Sequence, residues 1–136
     1  MDRFVDYSKE KISLIKKKTL QIQEMLNMKQ QLEMTLTHLY NEHHSNIHLI
    51  RLDKSLKKIK ALQFEDSEGS IKRLREYVCD LNCELLLISI LFYPDVGEDC
   101  EKIRKLTKEF LLKLDNIRDS YQEIEEISYI LLKIPM

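Results

Sequence analysis

Apolar side chains recur along this chain at intervals of three and four residues, the spacing that places them on one stripe of an α-helix. From Ser8 onward Ile12, Ile15, Thr19, Ile22 and Leu26 follow this rule, and the stripe then drifts through Met25, Met28, Leu32, Leu36 and Leu39. The segment "NEHHSN" at 41–46 interrupts it with weak helix formers but neither Gly nor Pro. Leu49, Leu52, Leu56 and Ile59 take the pattern up again in a shifted phase, so a continuous helix and a bend are equally compatible with the residues.

"FEDSEGS" at 64–70 gathers acid, Ser and Gly between two periodic segments and reads as a loop, with Ser70 expected to cap the next helix. That helix should stop at Pro94. Asp95 followed by Glu98 resembles the start of another helix, because a carboxylate accepts from the free amides of a first turn. The last segment has the cleanest register: Ile103, Thr107, Phe110, Leu114, Ile117, Tyr121, Ile124, Ser128 and Leu131 alternate four and three. The fold expected is therefore all-α, an elongated bundle of three or four helices with coiled-coil-like heptad seams. A single domain over 1–136 would contain helices at about 8–42, 47–63, 70–93 and 96–133, the first two possible as one.

Composition supports this. Of the residues 33% are charged and 43% apolar, with two Gly, two Pro and no Trp, so the breakers that a sheet needs at its turns are scarce. Lys outnumbers Arg 16 to 6 and Ala occurs only at Ala61, a bias that suggests an AT-rich coding genome.

The third helix departs from simple amphipathicity. Ile71, Leu74, Val78, Leu81, Leu85, Ile88 and Phe92 form the expected core face, but Cys79, Cys83, Leu86 and Ile90 form a second stripe close to the opposite side, with Leu87 beside it. A helix apolar on two sides has to be covered on both, because each large aliphatic side chain left in water forgoes about 1.5–3 kcal/mol. Either neighbouring helices of the chain or another subunit must do so. The apolar run 85–93 is about half of the roughly 20 residues that a bilayer crossing requires, which excludes a membrane anchor there.

Other groups offer less. His38, His43, His44 and His48 fall within eleven residues, and His44 and His48 are four apart, but zinc needs at least a third ligand and no HExxH or paired CxxC accompanies them. No metal or cofactor is expected. Gly-rich phosphate loops and nucleophile elbows are missing, so the expectation is no enzyme and no catalytic residues. Three cysteines, Cys79, Cys83 and Cys100, leave an odd thiol under any intramolecular pairing, and residues 1–18 lack the apolar core of a signal peptide; an intracellular site, cytoplasmic or nuclear, follows as an expectation.

The net charge of −1 conceals an asymmetry: residues 1–64 hold 12 basic and 7 acidic side chains, residues 65–136 hold 10 and 16. Two functions are consistent with these features. The favoured one is a non-catalytic helical subunit or adaptor of a multiprotein assembly, a hetero-complex or homo-oligomer, whose interface draws on Cys79, Cys83, Leu86, Leu87 and Ile90 and on Met25, Met28, Leu32, Leu36 and Leu39. The alternative is binding of nucleic acid or an anionic membrane surface by the basic half, through Lys16, Lys17, Lys18, Arg51, Lys54, Lys57 and Lys58. Against the alternative, no aromatic residues interleave with these clusters and the chain is not basic overall.

Overall fold

A computed structural model describes residues 2–43, 46–92 and 95–135, apart from the side chains of His48 and Asp95. Helix α1 spans Asp2–Glu42, a short 3-10 turn Ile47–Leu49 leads into α2, Ile50–Ala61, and then come α3, Glu68–Leu91, and α4, Asp95–Lys133. The described residues contain no strand. The bend left open by the sequence does occur after Glu42: α2 turns back along α1, with Lys60 donating 3.3 Å to the Thr37 hydroxyl.

The two long helices form the frame. They run antiparallel, as cross-links along their length establish: His43 against Asp99 at 3.3 Å, Glu24 against Lys113, and Ser120 donating 2.7 Å to Gln21. Helix α3 is antiparallel to α4, through Arg75 to Asp115 at 2.8 Å and Asn82 to Thr107 at 2.8 Å. Helix α2 bridges α1 and α3, its Arg51 lying 3.9 Å from Glu84. Thr37 and Asp115 each lie one residue beyond a buried position, Leu36 and Leu114. On antiparallel helices that step turns to the same side, so α2 and α3 lie over one face of the α1–α4 pair.

The short helices cover only part of that face. Asp66, just before α3, takes Lys18 at 3.2 Å and the Tyr121 hydroxyl, and so marks the end of the four-helix body. Beyond it the first 17 or so residues of α1 and the last dozen of α4 continue as a two-helix arm, roughly 20 Å long at 1.5 Å per residue.

Burial follows this division. Met25, Leu32, Leu36 and Leu39 of α1 join Leu52, Leu56 and Ile59 of α2, the whole expected stripe of α3 from Ile71 to Ile88, and Ile103, Phe110, Leu114 and Ile117 of α4. Residue Thr107 is also fully buried, with its hydroxyl 2.7 Å from the Arg104 carbonyl and 2.8 Å from the Asn82 amide, which meets its polar demand.

Three local readings of the sequence are corrected. The cap of α3 is Ser67, whose extended backbone lets its hydroxyl accept from the Ser70 amide at 3.2 Å, while Ser70 is buried in the first turn and accepts from Glu65. The register of α4 holds to Ile117 and then turns: Ser120 and Ile127 are buried, whereas Tyr121 and Ser128 are only half-buried. Past Asp66 only α1 remains as a partner, so the inward face of α4 rotates towards it. In α1 the inward positions of the arm are Phe4, Tyr7, Lys11, Leu14, Lys18 and Gln21, not the Ile12, Ile15, Thr19 and Leu26 stripe, which lies one residue on and stays exposed. The expected start of α4 as a capping box rests on the Asp95 side chain and the stop of α3 on Pro94, both outside the described residues.

Candidate interaction surfaces

The second stripe of α3 is not covered by the chain's own helices at its C-terminal end. Cys79 and Leu86 are half-buried, Cys83 is exposed, and Leu87 and Ile90 are 47% and 66% exposed. The reason lies in the placement of α3: its core stripe faces α4 and α2, and no fifth helix lies behind it. Leu91 at 67% adjoins this surface, and Ile47 and Ile50 of the turn into α2 are also exposed; Ile47, Leu87, Leu91 and Phe92 line one shallow cleft with Arg51 and Glu84. Sequence reading omitted Ile47, Ile50 and Leu91. Ile47 sits in the 3-10 turn and Ile50 opens α2, both off the Leu49, Leu52, Leu56 and Ile59 stripe, and Leu91 lies in a run too apolar for periodicity to place it on one face.

The other half of the expected interface goes elsewhere. Met25, Leu32, Leu36 and Leu39 are 0–4% exposed and belong to the chain's own core, with Met28 half-buried against it. They are unavailable to a partner because α2 and α4 already enclose them.

The basic residues divide into two separate groups. Lys16 and Lys17 are exposed on the arm, while Lys18 pairs with Asp66 and lies 4.5 Å from the centre of the Tyr121 ring. Lys54 and Lys58 are exposed on α2, where Lys57 pairs with Asp53 at 2.9 Å and Arg51 faces Glu84. Since Lys60 meets Thr37, α2 sits roughly twenty residues along α1 from Lys16, or about 30 Å. The two groups do not form one basic surface.

Two details bear on chemistry. The Cys100 thiol, fully buried where α3 and α4 meet, is pushed up to about 12 by burial, with Asp99 adding to it, so it is held protonated and unreactive. Glu42, His43 and Asp99 can offer ligand atoms within 4.8 Å of one another, but Glu42 is exposed and Asp99 is already in contact with His43. The His44 and His48 pair lies outside the described side chains. No helix is long and apolar enough among the described residues to cross a membrane.

At the junction of body and arm the Tyr121 hydroxyl, which donates to it, and then Lys18 hold the Asp66 carboxyl below its ordinary value of 3.8, while burial and Asp66 push the Tyr121 phenol up. A carboxyl depressed in the folded state stabilises at pH above its unfolded value, and that contribution vanishes as pH falls through the folded one. Asp66→Asn is therefore expected to cost less than about 1 kcal/mol near pH 6, given the exposure of Asp66, and progressively less as pH falls below 3.8. Urea denaturation of both proteins on either side of that value measures the difference.

No protein-family model, curated protein or solved structure matches this chain.

Proposed function

We propose that this chain is a non-catalytic subunit or adaptor of a protein assembly, joined to it by helix-to-helix contact at the C-terminal end of α3. The observation that carries this reading is the exposed apolar end of α3, Leu87, Ile90 and Leu91, with Ile47 lining one cleft with Leu87 and Leu91 and Ile50 exposed three residues further on, all 47–72% exposed. Contiguous apolar surface of this kind is what a partner covers, and burying the uncovered parts of these five side chains is worth several kcal/mol, at about 25 cal/mol per Å². Cys83 and Leu86 extend the surface along α3, and Arg51, Glu84 and Lys54 supply a charged border that favours one partner and register over others.

Binding of nucleic acid or an anionic membrane draws less support. Its basic residues lie in two places about 30 Å apart, and several are already paired with carboxylates.

Leu87→Asp combined with Ile90→Asp tests the reading. Both positions are exposed, so the variant is expected to keep its helical circular dichroism while the complex purified from the native cells loses this subunit. Complexes of the same mass by light scattering, with the variant still in them, would count against it. Assembly at 1 M salt separates the alternatives, since apolar contact survives it and phosphate contact does not.

A further inference from the structure

We propose that the arm carries a second, independent docking seam on α1, and that its occupant is an amphipathic helix of another protein with acidic residues along the edge of its apolar stripe that meets Lys9 and Lys16. Val5, Ser8, Ile12, Ile15, Thr19, Ile22 and Leu26 alternate three and four, one residue on from the positions that face α4. Val5, Ile12, Ile15 and Leu26 are 39–53% exposed, although in sequence they belong to a regular three-and-four stripe. The stripe is turned to the side of the α1–α4 pair that α2 and α3 cover in the body. From Val5 to Thr19 it is bare because α2 and α3 do not extend past Asp66, while Ile22 and Leu26 lie on the body side of that junction and Ile22 packs against the core, so a helix laid along the arm continues a layer that the fold itself has begun. The bare part, Val5 to Thr19, spans about 21 Å, enough for about four turns.

The charges beside the seam identify the occupant. If Val5, Ile12 and Thr19 take the a positions of a heptad and Ser8, Ile15 and Ile22 the d positions, the flanking e and g positions hold Lys9, Lys16, Lys11 and Lys18. Lys18 is held by Asp66, while Lys9 and Lys16 are exposed on the outer edge and Lys11 is half-buried on the inner one. Flanking charges of one sign select a helix whose own edges carry the other. A second copy of this seam is excluded by the same rule, because it would set these lysines against themselves. In a second copy the acidic stretch Glu123, Glu125 and Glu126 has its neighbouring Ile124, Ile127 and Leu131 turned towards α1, and the exposed apolar side chains beside it, Tyr129, Ile130 and Leu132, span about one turn, too short to fill the seam.

The test uses the full chain and two synthetic helical peptides of about three heptads with identical leucine and isoleucine seams, one edged with glutamate and the other with lysine. By fluorescence anisotropy the glutamate-edged peptide is expected to bind at least about tenfold more tightly. Lys9→Glu with Lys16→Glu should reverse that order, and Ile12→Asp with Ile15→Asp should abolish binding while the helical signal is retained. Equal affinity for both peptides, no binding of the glutamate-edged one, or a dimer of the chain alone that Ile12→Asp with Ile15→Asp dissolves would overturn the proposal. Because the seam is on the arm and the α3 surface at the opposite end of the body, any of these results leaves the function proposed above standing.

Discussion

Phe110→Ala is expected to be the most damaging single core substitution, at about 3–5 kcal/mol. Phe110 is the largest fully buried side chain, and it sits on α4 at the level where α1 and α3 both pack against that helix. Removing its ring deletes contacts to both neighbours, and the long antiparallel frame restrains α1 and α3 from closing over the gap. Since domains of this size are stable by only 5–15 kcal/mol, the loss should lower the melting temperature by roughly 10 °C or more. Leu112→Ala, two residues away but 64% exposed, should cost less than about 0.5 kcal/mol. Urea denaturation followed by circular dichroism compares the two, and similar losses would mean that α4 is rotated from the orientation described.

A second large effect is expected at Gly97, in the first turn of α4. A methyl group there would meet the Phe92 carbonyl carbon at 2.9 Å and the Phe92 and Ser89 carbonyl oxygens at 3.0 Å. All three are backbone atoms, which cannot swing aside as a side chain can. Gly97 also donates 3.3 Å to the Phe92 carbonyl, so the end of α3 and the start of α4 are held in direct apposition. On helix propensity alone Gly97→Ala should stabilise by about 0.5–1 kcal/mol. Close approach reverses the sign, and a destabilisation of about 1–3 kcal/mol is expected in thermal denaturation. A stabilised variant would refute the close packing of this corner. The corner bears on the proposed function because Ile90 and Leu91 lie at the same end of α3.

Much of the architecture was legible in the residues. The scarcity of Gly and Pro and the three-and-four spacing indicated an all-α bundle, and the core stripe of α3 from Ile71 to Ile88 was read position by position. That stripe was legible because its opposite face, through Lys72, Arg73, Glu76 and Asp80, is charged over the first half. On the arm part of α1 the same method chose the exposed stripe of Ile12, Ile15 and Thr19. The inward positions there include Lys11, Lys18 and Gln21, whose polarity hides them, and they are tolerated because Asp66 and Ser120 take up Lys18 and Gln21. Periodicity reports that a helix has an apolar stripe; it does not report which of two stripes the partner helix will choose.

The candidate surface on α3 was partly legible for a related reason. Leu86, Leu87 and Ile90 stood out because they exceeded what one core face can absorb. Ile47 could not be found, since its place beside Leu87 depends on the reversal of the chain between α1 and α2. That reversal is written in "NEHHSN" only as a weakness of helix formation. Met25, Leu32, Leu36 and Leu39 show the converse: the spacing was right, but α2 folds back over the lower part of α1 and consumes the stripe.

The central claim is that the end of α3 is covered by another chain in the cell, and the alkylation rate of Cys83 tests it most directly. Cys83 is exposed on the same face, one turn before Leu87, while Cys100 is buried and serves as an internal control. Thiol reactivity at fixed pH follows exposure. In permeabilised native cells Cys83 should react at least about tenfold more slowly than in the Leu87→Asp, Ile90→Asp variant, with the partner as the shield. Equal rates in the two would show that this surface stands open to water in the cell, and would contradict the account.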